Sequence, residues 1–237
     1  MSTYTAVIIE PRCHKALGFV LKNILTNLPE EWNVLIFHGN KNKEYITTII
    51  NETLQAFKKR ILPLLNLEVD NLTKNDYNKR LTSATFYEMI PTEIFLIFQT
   101  DSMILEENKS LLELFLNYDY VGAPWNINLV NSKSETENTK IFIGNGGFSL
   151  RRKSKMIETC VKHAHLTIPV HEDIFFAGQT AVFLNKPSAE AATFFSVESI
   201  FNKAPFGIHA PWNSLSSCEL KKLLDIYPDI QILMDLQ

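Results

Sequence analysis

Between residues 5 and 98 short apolar runs alternate with amphipathic helical segments, and this alternation restricts the fold more than any other feature of the chain. Residues 5–9 and 34–37 are compact β-branched or apolar runs of strand length, each followed by a polar break. Between them Leu17, Val20, Leu21, Ile24, Leu25 and Leu28 recur at steps of three and four, and Pro29 stops the segment. Ile46, Ile49, Ile50, Leu54 and Phe57 mark a second helix over 45–57, and 77–89 reads as a third that closes before Pro91. Residues 61–69 are a further strand candidate, weakened in the first half by Pro63. Residues 94–98 are apolar on both faces, the pattern of a strand in the middle of a sheet. Strands alternating with helices imply a mostly parallel sheet wound by right-handed crossovers. Ligands of such folds bind beyond the carboxyl ends of the strands. Those ends are Glu10-Pro11-Arg12, His38-Gly39 and Gln99-Thr100-Asp101, all polar, so one rim of the sheet is the expected site.

After Asp101 the alternation lapses. A helix is expected over 110–117, then a polar loop over 126–140 as a mobile segment, and a strand over 141–143 entering Gly144-Asn145-Gly146-Gly147. A helix carrying Met156, Ile157, Cys160, Val161 and Ala164 follows that loop. His171-Glu172-Asp173 opens another helix, 193–197 alternates like a strand, and a helix over 218–224 closes the chain. No Pro/Gly/Ser-rich linker divides the 237 residues, so one domain is expected over 1–237, with a ligand-binding part to about 105 and a second part over 106–237.

Charge and composition exclude several classes. The net charge is −3 with both signs interspersed, which argues against nucleic acid as a partner. The short basic cluster Arg151-Arg152-Lys153-Lys155 reads as a solvated helix start. No run approaches the roughly 20 apolar residues that span a bilayer, and the N-terminus has no basic, apolar leader. Cys13, Cys160 and Cys218 are widely spaced and read as reduced thiols, so a soluble protein of a cytosol-like compartment is expected. Glycosylation triplets at Asn51 and Asn71 are those expected by chance in an Asn-rich chain.

Four places have the residue types for chemistry. Asp101 follows a buried strand, where a carboxylate can meet a ligand; an Asp there also commonly caps a turn. Three of the chain's 8 glycines fall in Gly144-Asn145-Gly146-Gly147, which suits either close approach to a ligand or a tight turn. The GxGxxG and GKS/T phosphate cradles are absent. Glu172 and Asp173 at a helix start either complement the helix dipole or supply a general base. His163 and His165, two apart on a helix, face different ways and do not share an ion with His171; His209, in an aromatic Pro-bounded loop, is either a packing residue or a ligand.

Together, Glu10-Pro11-Arg12, Phe98-Gln99-Thr100-Asp101-Ser102, residues 118–125, residues 144–151, Glu172-Asp173-Ile174-Phe175-Phe176, Phe195-Ser196-Val197-Glu198 and Pro205-Phe206-Gly207-Ile208-His209 resemble a family of glycosyltransferase-like domains with members in bacteria, microbial eukaryotes and large DNA viruses. The likeness runs from about Thr5 to Trp212. More distantly, the order of Asp motif, Gly-Gly loop, Glu-Asp pair and late His is similar to inverting GT-A enzymes of the fringe-like and β-galactosyltransferase groups. The resemblance implies an α/β, GT-A-like fold with a Rossmann-like sheet and a small mixed C-terminal part. It implies transfer of a sugar from a nucleotide-sugar donor to an acceptor hydroxyl on a glycan, protein or lipid-linked molecule. Arg12, Tyr77, Asn78, Arg80 and Gln99 would then line the nucleotide pocket, and Asn145, Gly146 and Gly147 would face the donor sugar. Asp101 and His209 would hold Mn²⁺ or Mg²⁺ against the diphosphate, Asp173 would be the base with Glu172 as the other candidate, and Trp125 and Trp212 would stack on a sugar.

Gln99 stands where the usual Asp-x-Asp has its first carboxylate, which leaves metal-independent catalysis open. Three rivals follow: a retaining transferase of the same fold, a non-catalytic nucleotide-sugar or glycan-binding module, and, more distantly, a hydride-transferring Rossmann enzyme.

Overall fold

A computed structural model describes residues 3–125, 143–164, 171–178 and 182–237. Strand β1 (Tyr4–Ile9) leads through helix α1 (Leu17–Asn27) to β2 (Trp32–His38), then through α2 (Lys43–Glu52) to the short β3 (Leu65–Asn66). Helices α3 (Lys74–Leu81) and α4 (Ala84–Glu88) precede β4 (Ile94–Phe98), and β5 (Ser102–Ile104) follows it directly. Strands β6 (Tyr120–Gly122) and β7 (Phe148–Arg152), helix α5 (Lys153–Lys162) and helix α6 (Glu172–Ala177) come next. The chain continues with α7 (Ala189–Ala192), β8 (Ser196–Val197), β9 (Gly207–His209), α8 (Ser217–Ile226) and α9 (Asp229–Asp235).

Six strands form the central sheet in the order β3-β2-β1-β4-β7-β6. β1 pairs in parallel with β2 and β4, β2 with β3 likewise, and β7 runs antiparallel to both β4 and β6. The expected mostly parallel α/β sheet is therefore present, with one reversed strand. A three-stranded sheet, β5-β9-β8, stands beside it. Its register sets Val197 opposite Ile208 and Ser102 opposite His209.

The period-two alternation of the strands sorts their side chains onto two covered faces. Ala6, Ile8, Val34, Ile36, Leu96 and Phe98 pack against the α1 stripe Leu17, Val20, Leu21 and Ile24. Val7, Leu35, Phe37, Phe95 and Ile97 pack on the other side against Phe86, Tyr87, Met156 and Cys160. Burying both faces leaves only the strand ends for polar work.

Several expected elements differ. The helix expected over 45–57 stops at Glu52 and resumes as a 3-10 helix, Gln55–Arg60. Arg60 in that helix donates to the carbonyls of Leu25, Leu28, Pro29 and Trp32, which ties the turn to the end of α1. The 77–89 segment is two helices, and the first starts earlier at a Thr73–Asp76 capping box. Of the 61–69 strand only Leu65–Asn66 pairs fully, with an isolated bridge from Ile61 to Val34. The 110–117 helix is a 3-10 helix, Glu106–Leu114, and the strand expected over 193–197 is the two-residue β8.

The main omission is β7. Residues 148–152 read as a loop leading into a helix, but Phe148 and Leu150 alternate with Ser149 and Arg151, and the segment pairs with β4. The basic cluster is also corrected: Arg151 is fully buried, and Arg152 is ion-paired with the mostly buried Asp119 at 2.9 Å. The polar loop 126–140, residues 141 and 142, and His165 lie outside the described residues. Among the described residues the three cysteines are free, and no helix is long and apolar enough to cross a membrane.

Candidate active-site cleft

A cleft of about 910 Å³ opens at the carboxyl ends of β1 and β4, and both the first hundred residues and the second half contribute to its walls. On the β1 side, the buried Glu10 accepts from Arg12 at Nε and Nη2, each at 2.8 Å. Asn42 Nδ2 donates to the carbonyls of Glu10 and Arg12 at 2.8 Å, so the turn after β1 is pinned. Arg12 is half-exposed in the cleft with its guanidinium held by Glu10, whose carboxylate also raises its pKa. Tyr77 and Asn78 of α3 line the next stretch of wall. Arg80 turns away, donating to the carbonyl of Leu67 at 3.0 Å, and is not part of the cleft.

At the floor, Gln99 has both ends of its amide engaged. Its Nε2 donates to the Tyr77 hydroxyl at 2.8 Å, and its Oε1 lies 3.2 Å from His209 Nε2. Asp101 Oδ1 is 3.3 Å from the same nitrogen, and Glu198 Oε1 is 3.4 Å from His209 Nδ1. Burial opposes a charge on His209, but the two flanking carboxylates outweigh it and push the imidazole up to about 10. Burial likewise works to raise Asp101, yet His209 holds it below the ordinary carboxylate value. Oxygen Oδ1 of Asp101, Oε2 of Glu198 and Nδ1 of His209 are buried without a hydrogen bond.

The glycine loop forms the third wall. Asn145 is buried; its Oδ1 accepts from the amides of Gly147 and Phe148, and its Nδ2 donates to Glu198 at 2.7 Å. No glycine has positive φ, so close approach, rather than a turn, explains the residue type here. A Cβ on Gly146 would collide with the Glu172 carboxylate, and one on Gly147 with the His209 ring. Gly147 and Asn145 line the cleft; Gly146 lies behind them. Trp125 lines the cleft as well, whereas Trp212, in the 3-10 helix Pro211–Asn213, packs against the core and does not.

The start of α6 completes the site, with His171, Glu172 and Asp173 on the wall. The two carboxylates have different surroundings. Glu172 is buried against the fully buried Arg151 at 2.9 Å, and burial pushes it up to about 7 against the pull of that guanidinium. Arg151 also donates to Ser149, Tyr87 and the Gly146 carbonyl, and lies over the Tyr120 and Phe176 rings. Asp173 is partly exposed; burial raises its pKa, and its Oδ1 accepts from the Ile174 amide at 2.8 Å.

Of the sequence-expected residues, only Arg80, Gly146 and Trp212 are outside the lining. Glu198 and Arg151 were missed. Glu198 ends a strand beside the cleft, the same signal that singled out Asp101. Arg151 was hidden among its basic neighbours Arg152, Lys153 and Lys155, which are only partly buried.

Among the described residues no group of three or more His, Cys, Asp or Glu side chains is arranged to hold a metal ion. Asp101 Oδ1 and His209 Nε2, 3.3 Å apart, face each other as an ion pair, and Asp101 Oδ1 has no hydrogen bond.

The chain belongs to the family described as "Protein of unknown function (DUF5672)", whose model matches residues 64–209. No curated protein matches the sequence. Solved structures do resemble it. The apo form of the glycosyltransferase GlyE from Streptococcus pneumoniae aligns over 99% of this chain and 62% of its own, with a TM-score of 0.56 and 9% identity. The apo structure of the bifunctional glycosyltransferase WbbM aligns over 100% of this chain and 52% of its own, with a TM-score of 0.55 and 12% identity. The fold is thus glycosyltransferase-like, and the chain spans a little over half the length of those two proteins.

Proposed function

Starting from this fold and this cleft, we propose that the chain is a glycosyltransferase that moves a sugar from a nucleotide-sugar donor to an acceptor hydroxyl with inversion. One observation carries the reading: Arg12, Asp101, Asn145, Asp173 and His209, from five separate segments, line the same cleft at the carboxyl ends of the sheet.

In this reading Arg12, Tyr77 and Asn78 border the nucleotide. The glycine loop shapes the wall next to the sugar, and Trp125 offers a flat apolar face to it. Asp173 takes the acceptor hydroxyl's proton while that oxygen attacks the anomeric carbon and the nucleoside diphosphate leaves. Its partial exposure and raised pKa suit a base that must exchange a proton. Glu172 is engaged with Arg151 and anchors α6 instead. Asp101 and His209 would hold Mn²⁺ or Mg²⁺, which would supply charge neutralisation at the leaving diphosphate.

Incubation with a panel of nucleotide sugars and simple acceptors tests this. The reading expects turnover of at least one donor, a product of inverted configuration, and loss of turnover in Asp173→Asn. The engagement of Gln99 with Tyr77 and His209, where a carboxylate is usual, favours a second reading as a binding module. Donor binding without turnover across all donors and metals would select that alternative.

A further inference from the structure

We infer that Asn78 and Lys186 are positioning residues for Asp173: they hold the two ends of α6, the short helix that brings this carboxylate to the cleft. The inference rests on the reading of Asp173 as the base.

α6 has six residues, and a helix that short is not stable on its own hydrogen bonds. Its first amides and last carbonyls need partners from outside the helix. His171, the N-cap, makes no side-chain bond to the helix start among the described residues. Asn78 supplies the cap from α3. Its Oδ1 accepts from the Glu172 amide at 3.2 Å, and its Nδ2 lies 3.5 Å from His171 Nδ1. Both ends of the Asn78 amide thus face the two residues that precede Asp173. At the far end, Lys186 Nζ donates to the carbonyls of Phe176 and Ala177 at 2.9 and 2.7 Å. Its positive charge there complements the negative end of the helix.

Both supports are themselves fixed. α3 starts at the Thr73–Asp76 capping box, and Arg80 ties it to the carbonyl of Leu67. Lys186 follows Asn185, whose amide donates to Asp119 Oδ2 at 2.8 Å and whose carbonyl accepts from the Asp119 amide at 2.7 Å. Asp119 is in turn the partner of Arg152 at the end of β7. α6 is therefore suspended between the α3 wall and the central sheet. Asp173 is its second residue, so any tilt of the helix moves the carboxylate. A base must come within about 3 Å of its proton, and a displacement of about 1 Å can cost about 100-fold in rate. Asn78 lines the cleft and Lys186 does not. An effect common to both residues cannot arise from a lost contact to the nucleotide.

The test uses the full chain and three readouts: hydrogen exchange of the α6 amides, calorimetry with uridine and guanosine diphosphate, and turnover of the donors named above. Asn78→Ala and Lys186→Met should each speed α6 exchange about two- to thirtyfold, the range for a lost helix cap, and leave β1 and β4 unchanged. Turnover should fall about 10- to 100-fold with donor KM and diphosphate affinity within about twofold. Asn78→Asp, which keeps the accepting oxygen, and Lys186→Arg, which keeps the cation, should recover part of both losses. Exchange of α6 equal to wild type in both variants overturns the inference, as does a loss of diphosphate affinity in place of turnover. If Asp173→Asn abolishes turnover while neither Asn78→Ala nor Lys186→Met lowers it, the transferase reading stands and only the positioning role falls. If the wild type turns over no donor, the reading of Asp173 as base falls and takes this inference with it.

Discussion

Glu172 and Asp173 are adjacent carboxylates with opposite surroundings, and those surroundings divide their work. Glu172 has its charge matched by Arg151 inside the protein, whereas Asp173 has no cation paired with it among the described residues and lines the cleft. Asp173→Asn should therefore lower transfer by a factor of about 100 or more, the range for loss of a general base, and leave nucleotide affinity within about twofold. Rates and calorimetry on the same preparation check this. Gly146→Ala should be destabilising by about 1–3 kcal/mol in urea unfolding, because the added methyl collides with Glu172 and an overpacked site must shift. At this scale the sequence was informative where a polar residue ended an apolar strand, as for Arg12 and Asp101. It was silent on partners: nothing local tells that the Gln99 amide binds Tyr77 and His209, since those residues are 22 and 110 positions away.

Helix α6 and strand β7 act as one unit because Arg151 and Glu172 join them inside the core. Removing one charge leaves the other buried and unpaired, which typically costs about 3–5 kcal/mol. Arg151→Met should lose stability in that range, and Arg151→Met combined with Glu172→Leu should regain much of it; denaturant unfolding of the three proteins compares them. The Glu172 pKa is raised from 4.5 to about 7 by burial, so the folded state holds a proton that the unfolded chain releases first. Stability from this group is complete below about pH 4.5 and is lost as pH rises through about 7. Glu172→Gln should flatten the fall in unfolding free energy across that window. The first four strand positions and α1 were legible, since their apolar spacing matches the layers they join. β7 was not: five residues with two arginines carry little apolar signal, and the partner that makes them a strand is β4, fifty or more positions earlier. Helices α3 and α4 merged in the sequence because Thr82 and Ser83 only weakly interrupt the pattern.

The cleft is a property of the whole chain. β1 and β4 bring Arg12 and Asp101 to one rim, the reversed β7 delivers the glycine loop, and the small β5-β9-β8 sheet sets His209 and Glu198 against Asp101. Composition carried none of this convergence; the family resemblance named Arg12, Asp101, the glycine loop and His209, but not a part for Glu198. Calorimetric titration of nucleotide sugars with and without Mn²⁺ tests the central claim most directly, with Arg12→Ala and Asp101→Ala alongside the wild type. The account predicts one donor binding at one site per chain, weakened by Arg12→Ala, with the Mn²⁺ enhancement removed by Asp101→Ala. Binding of no nucleotide sugar, or binding indifferent to both substitutions, would contradict it.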